Sequence, residues 1–93
     1  QNYPNPFSPE TAIPFVVGAG GGSDGGPKTV RLEIFDALGR SVVILRDQEL
    51  APGYYTARWN GLDASGRPAA SGIYACRLRV GSTVRVKRML LVR

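Results

Sequence analysis

Gly72-Ile73-Tyr74-Ala75-Cys76-Arg77-Leu78-Arg79-Val80 decides the fold class of this chain. Tyr74, Cys76, Leu78 and Val80 recur at every second position, with Ala75, Arg77 and Arg79 between them. That is the period of a strand with one face turned to a core and the other to water. Working outward, Gly81-Ser82 separates this stretch from a further strand over 83–92. A two-residue loop there would pair Arg79 with Val84 and Leu78 with Arg85, setting charge against apolar side chains on both faces. The register expected instead pairs Arg79 with Thr83, which matches Leu78 with Val84 and Cys76 with Val86. It places Arg77 opposite Arg85, with Arg79 and Lys87 on the same outer face. Like charges directly opposite destabilise a sheet, so either solvent separates them or an anion lies across the strip.

The upstream sequence repeats the pattern. Residues 54–59 put Tyr55, Ala57 and Trp59 on one side, and burial of the single tryptophan is the largest side-chain contribution expected. Leu50-Ala51-Pro52-Gly53 turns the chain before it, with the Pro-Gly centre of a type II turn. Residues 41–45 (Ser-Val-Val-Ile-Leu) are nearly all apolar and are expected to be covered on both faces. Asp36-Ala37-Leu38-Gly39-Arg40 is a turn with Gly39 placed for positive φ. Residues 29–35 alternate Val30, Leu32 and Ile34 against Arg31 and Glu33. In 11–17, Ile13, Phe15 and Val17 alternate, and Pro14, which donates no ladder hydrogen bond, assigns that strand to an edge. Gly18 to Pro27 is a flexible low-complexity connector. Six or seven short strands with turns every 8–12 residues predict an all-β fold, an immunoglobulin-like antiparallel β-sandwich in a single domain over 1–93.

Composition narrows the function. The chain has 93 residues, and with 12 Lys/Arg against 7 Asp/Glu its formal charge is +5. A chain this short houses one core and buries roughly 60–65% of the surface it exposes unfolded. It has no histidine and one cysteine, which excludes an intramolecular disulfide, His-based triads and most zinc arrangements. No apolar run approaches the ~20 residues that span a bilayer, so no transmembrane segment is expected. The chain starts at Gln1 without an initiator methionine, as a processed protein or a fragment does. The basic balance suits an anionic partner such as an acidic glycan or a membrane surface, or is simply an arginine-rich solvated face. No nucleic-acid-binding module accompanies it.

Several ordered motifs then carry a resemblance. They are Gln1 to Thr11 with its core Asn2-Tyr3-Pro4-Asn5-Pro6-Phe7, Ile34-Phe35-Asp36-Ala37-Leu38-Gly39-Arg40, and Leu50-Ala51-Pro52-Gly53-Tyr54-Tyr55. Trp59-Asn60-Gly61 through Gly66, Ser71-Gly72-Ile73-Tyr74 and Lys87-Arg88-Met89-Leu90-Leu91-Val92 complete the set. Together they span nearly the whole chain, which resembles the type A C-terminal sorting domains of the type IX secretion system. Those domains are similar to the immunoglobulin-like domain of the flagellar hook-capping protein. The resemblance implies a non-catalytic, secreted or cell-surface module with no cofactor, read by the secretion machinery as cargo is exported and anchored.

Candidate chemistry elsewhere has a plainer reading beside it. Asn60, Asp63 and Ser65 before Gly66 could suggest a calcium loop, but they lack the carboxylates of an EF-hand, and an Asx-type turn is expected. Gly20 to Gly26 has no Gly-Lys-Ser/Thr ending and no following helix, so it is a connector rather than a phosphate loop. Ser8, Ser41, Ser65 and Ser71 have no histidine base, and no catalytic or metal-ligating residue is assigned. Cys76 is expected to be an inert buried thiol. Tyr54, Tyr55 and Tyr74 are core or carbohydrate-stacking aromatics, with core packing the default.

The residues expected to carry recognition are Asn2, Tyr3, Pro4, Asn5, Pro6 and Phe7, with Gly72 and Tyr74 shaping the late hairpin. Arg77, Arg79, Arg85, Lys87 and Arg88 form its basic strip. Tyr3 and Phe7 pack on their own sandwich or dock into a neighbouring molecule. A second class of function is a filament subunit. In it the tethered strand with Ile13, Phe15 and Val17 completes an identical neighbour's sheet and builds a homopolymer.

Overall fold

The computed structural model describes residues 10–18 and 26–92. The motif residues Asn2 to Phe7 and most of the glycine connector lie outside that range. Within it run six strands, β1 (Thr11–Val17), β2 (Lys28–Phe35), β3 (Ser41–Leu50), β4 (Gly53–Trp59), β5 (Gly72–Val80) and β6 (Thr83–Leu91). Every pairing is antiparallel, in a two-stranded sheet β1-β4 and a four-stranded sheet β3-β2-β5-β6. Among the described residues no helix is long and apolar enough to cross a membrane. The alternation read from the sequence selects the inward faces. Ile13, Phe15 and Val17 of β1 and Ala57 and Trp59 of β4 meet Val30, Leu32 and Ile34 of β2 and Tyr74 and Cys76 of β5. The result is an antiparallel β-sandwich of immunoglobulin-like architecture. Its sheets correspond to the B-E and C′-C-F-G groupings of that class.

Trp59 seals the core at 1% exposure, and its indole Nε1 donates to the Leu62 carbonyl at 3.0 Å, so burial leaves no orphan donor. Tyr74 lies near the start of β5, two residues before Cys76, and its hydroxyl donates to the Ala70 carbonyl at 2.5 Å. That is the tyrosine-corner arrangement of immunoglobulin-like sandwiches. At the start of β4, Tyr55 repeats the device by donating to the Ala51 carbonyl at 2.6 Å, and its ring stacks on Phe15 at 5.5 Å. β1 is an edge strand, as Pro14 requires, and it pairs with β4 of its own chain over all seven positions.

Three expectations are corrected. β3 is not covered on both faces: it is the other edge of the four-stranded sheet, extends to Leu50, and none of its residues is fully buried. Register shifts at Leu32/Glu33 and Ile34/Phe35 change which β3 residues face the core, as bulges do. Pro52-Gly53 turns the chain, but Gly53 has φ 157°, far from the value near 80° that a type II turn needs.

The third correction concerns the last hairpin. β5 and β6 join through a two-residue turn at Gly81-Ser82, pairing Val80 with Thr83, Arg79 with Val84, Leu78 with Arg85, Arg77 with Val86 and Cys76 with Lys87. Arg77 therefore does not face Arg85. The expected register avoids charge opposite apolar side chains on both faces, a mismatch that is prohibitive only where a face is buried. The two-stranded sheet stops short of β6, so charges there stay in water. Gly81 takes φ 58° and its N–H donates to the Thr29 carbonyl at 2.9 Å, fixing this tighter turn against β2.

Candidate recognition surface

One end of the sandwich is built from the turn 36–40 and, far from it in sequence, the adjoining segments 60–68 and 71–74. In the first, Asp36 Oδ1 accepts from the N–H groups of Leu38 and Arg40, both at 2.9 Å, and Arg40 Nε donates to Asp36 Oδ2 at 2.8 Å. Gly39 takes φ 84° there, which the sequence placed correctly. In the second, the Asn60 side chain caps Leu62 N–H at 3.1 Å. Asp63 Oδ1 accepts from Ser65 N–H, Ser65 Oγ and Arg67 N–H within 2.9 Å. These are the Asx-type turns expected for 60–68. Ala64 N–H donates to the Val42 carbonyl at 2.9 Å, which fastens the second turn to the strand that leaves the first. The third segment, 71–74, brings in Tyr74. The three enclose an open concavity of about 580 Å³ that includes Asp36, Arg40, Asp63, Ser65 and Tyr74.

The carboxylates of this end are already engaged. The Arg40 backbone N–H is the chief cause holding the Asp36 pKa below the ordinary value, and for Asp63 the Ser65 hydroxyl is. Among the described residues no group of three His, Cys, Asp or Glu side chains could hold a metal ion. The arrangement can present ordered backbone and Arg side chains to a partner.

The five cations of the expected basic strip are divided between two faces. Arg77, Arg79 and Arg88 share the outer face with Val84, Val86, Ile73 and Leu90, whereas Arg85 and Lys87 share the inner face with Leu78 and Cys76. Arg77 is tethered: its guanidinium lies 4.7 Å over the Phe35 ring and 3.4 Å from Glu33 Oε1. Glu33 is 6% exposed despite its outer-face position. It accepts from Ser41 Oγ at 2.6 Å and from Arg31 Nε at 3.3 Å. The Ser41 hydrogen bond does most to lower its pKa, ahead of Arg31 and Arg77 and against the cost of burial. Arg79 faces Arg31 across the sheet, and Arg31 is held by Glu33 and Asp47. Among the described residues Arg79, Arg85, Lys87 and Arg88 have no carboxylate within ion-pair distance. The sequence states why: residues 64–93 contain seven Lys/Arg and no Asp or Glu.

Other expected residues fall into place or apart. Ile13, Phe15 and Val17 are buried in the core, so they hold the domain together. Gly72 opens β5. Cys76 is 3% exposed, and desolvation pushes its pKa up to about 11, with Lys87 opposing slightly. Tyr55 and Tyr74 are core aromatics, whereas Tyr54 is 89% exposed. The sequence reading missed the apolar side chains exposed beside the arginines, Ile73, Val84, Val86 and Leu90. Alternation in 83–92 carries Val84, Val86 and Leu90, but nothing local says that both faces of that strand are open. No protein-family model, curated protein or solved structure matches this chain.

Proposed function

We propose that this protein is a non-catalytic, extracellular immunoglobulin-like module, recognised during export and cell-surface attachment, of the kind its motifs resemble. One spatial observation supports the reading. The turn 36–40 and the continuous stretch 60–74 carry much of the resemblance, lie far apart in the chain, and converge on one end of the sandwich. Turn residues from distant parts of a chain that gather on one exposed surface are what a receptor reads. The unpaired arginines and lysine of β5 and β6 add a surface suited to an anionic glycan at the cell envelope.

The test is a periplasmic reporter carrying residues 1–93 at its C-terminus, expressed in a bacterium with a type IX system and in a strain lacking that system. The reporter should reach the cell surface only in the first. Replacing Asp63 and Asp36 with alanine should reduce export while the purified domain keeps its β circular dichroism. Equal surface display in both strains, or none in either, ends the proposal.

A further inference from the structure

Two adjoining cavities of about 560 and 310 Å³ lie between β1 and the inner faces of β5 and β6. Both are floored by Phe15 and Leu78 and edged by Arg85. They exist because, among the described residues, a two-stranded sheet faces a four-stranded one and no strand of the smaller sheet covers β6. β6 itself ends the sheet. Among the described residues no strand pairs with its far side, and seven of its nine positions, Thr83 to Arg88 and Leu90, are exposed. A strand edge of this kind presents a row of unpaired N–H and C=O groups to another chain. Its side chains alternate, with Arg85 and Lys87 toward the cavities and Val84 and Val86 on the outer face.

We propose that β6 is a docking edge for an extended acidic segment of another protein, in which Asp or Glu alternates with apolar residues. Added as a fifth strand, that segment sets its carboxylates opposite Arg85 and Lys87 and its apolar side chains beside Val84 and Val86. Residues directly opposite across a strand pair share a face, so a period-2 acidic–apolar pattern fits both faces at once. Charge selects the partner. A second copy of β6 paired antiparallel about Val86 would set Arg85 of each copy against Lys87 of the other, which is repulsive. A strand of nine residues covers about 30 Å, so the contact needs only a short segment. The inference stands independently of the sorting role, because it rests on the edge and its charges alone.

The probe is a fluorescein-labelled octapeptide of alternating Glu and Val, titrated by anisotropy into the whole chain. Two comparison peptides have the same composition: one with its glutamates in a single block, and one N-methylated at alternate amides to remove one hydrogen-bonding edge. The alternating peptide should bind at least ten-fold more tightly than either. It should also slow amide exchange along 83–91 and lose at least ten-fold in affinity in the Arg85→Gln/Lys87→Gln double variant. Arg46→Gln, on the opposite edge of the sheet, should bind as the parent does, and thermal melts establish that each variant folds. Equal binding of all three peptides would reduce the surface to a polyanion patch and overturn the proposal. So would absence of binding, or binding unchanged in the double variant.

Discussion

The Tyr74 ring meets the Trp59 indole edge-on, with centroids 5.1 Å apart and planes inclined by 67°. This contact joins the two sheets, because Trp59 ends β4 and Tyr74 lies near the start of β5. Each ring is also tied to backbone through its polar atom, Trp59 to Leu62 and Tyr74 to Ala70. The pair therefore holds the core and the end-face loop together.

Tyr74→Phe keeps the ring contact and removes only the bond to the Ala70 carbonyl. A hydrogen bond of this kind contributes about 0.5–1.5 kcal/mol, and 1 kcal/mol moves the melting temperature of a domain this size by roughly 4–8 °C. A calorimetric melt should show a drop within about 2–12 °C. A drop of zero would mean that the corner does not anchor the loop.

Trp59→Ala removes the largest buried side chain and should cost about 3–5 kcal/mol. Urea titration of parent and variant measures the loss. Since Trp59 is the sole tryptophan, acrylamide quenching in the parent gives an independent check. The native indole should be protected and become quenchable only on unfolding.

The Glu33 pKa is lower in the folded chain than the ordinary value of 4.5, chiefly through Ser41. Its contribution to stability is therefore complete above pH 4.5 and fades as the pH falls through the lowered folded value. Glu33→Gln should reduce stability by about 1–3 kcal/mol at pH 7 and by much less at pH 3. Melts at the two values should show the parent losing more than the variant on acidification.

Cys76 is expected to be silent to thiol reagents. With its folded pKa raised from 9.0 to about 11, the protonated thiol persists in the native state while an unfolded chain would ionise. That contribution is complete below pH 9.0 and lost between 9.0 and about 11. At pH 8 a disulfide reagent should label no thiol in the folded protein and one per chain in guanidinium.

Gly39→Ala tests the first turn. A methyl group there meets no atom within 4 Å, but φ is 84°, so the cost is conformational alone and should be about 1–2 kcal/mol. Denaturant midpoints measure it. A larger loss would mean that the turn, fastened through Val42 to the second loop, transmits its distortion.

Much of this was legible from local chemistry. Ile13, Phe15, Val30, Leu32, Ala57, Trp59, Tyr74 and Cys76 are inward because alternation assigns faces. Asp36, Gly39 and Asp63 make the turns that their side chains and backbone freedom favour. Two of the three misreadings share one origin. Val42 to Leu45 looked doubly covered, and Leu78 opposite Arg85 looked forbidden, because each inference needed to know what lies above the strand.

A strand's own residues determined its period, its inward set and its turns, since these depend on bonded geometry and near neighbours. Tertiary structure alone decided that the smaller sheet has two strands and ends before β6. Burial is a property of the opposing layer, so whether Arg85 and Lys87 sit in a core or in water depends on residues some seventy positions away.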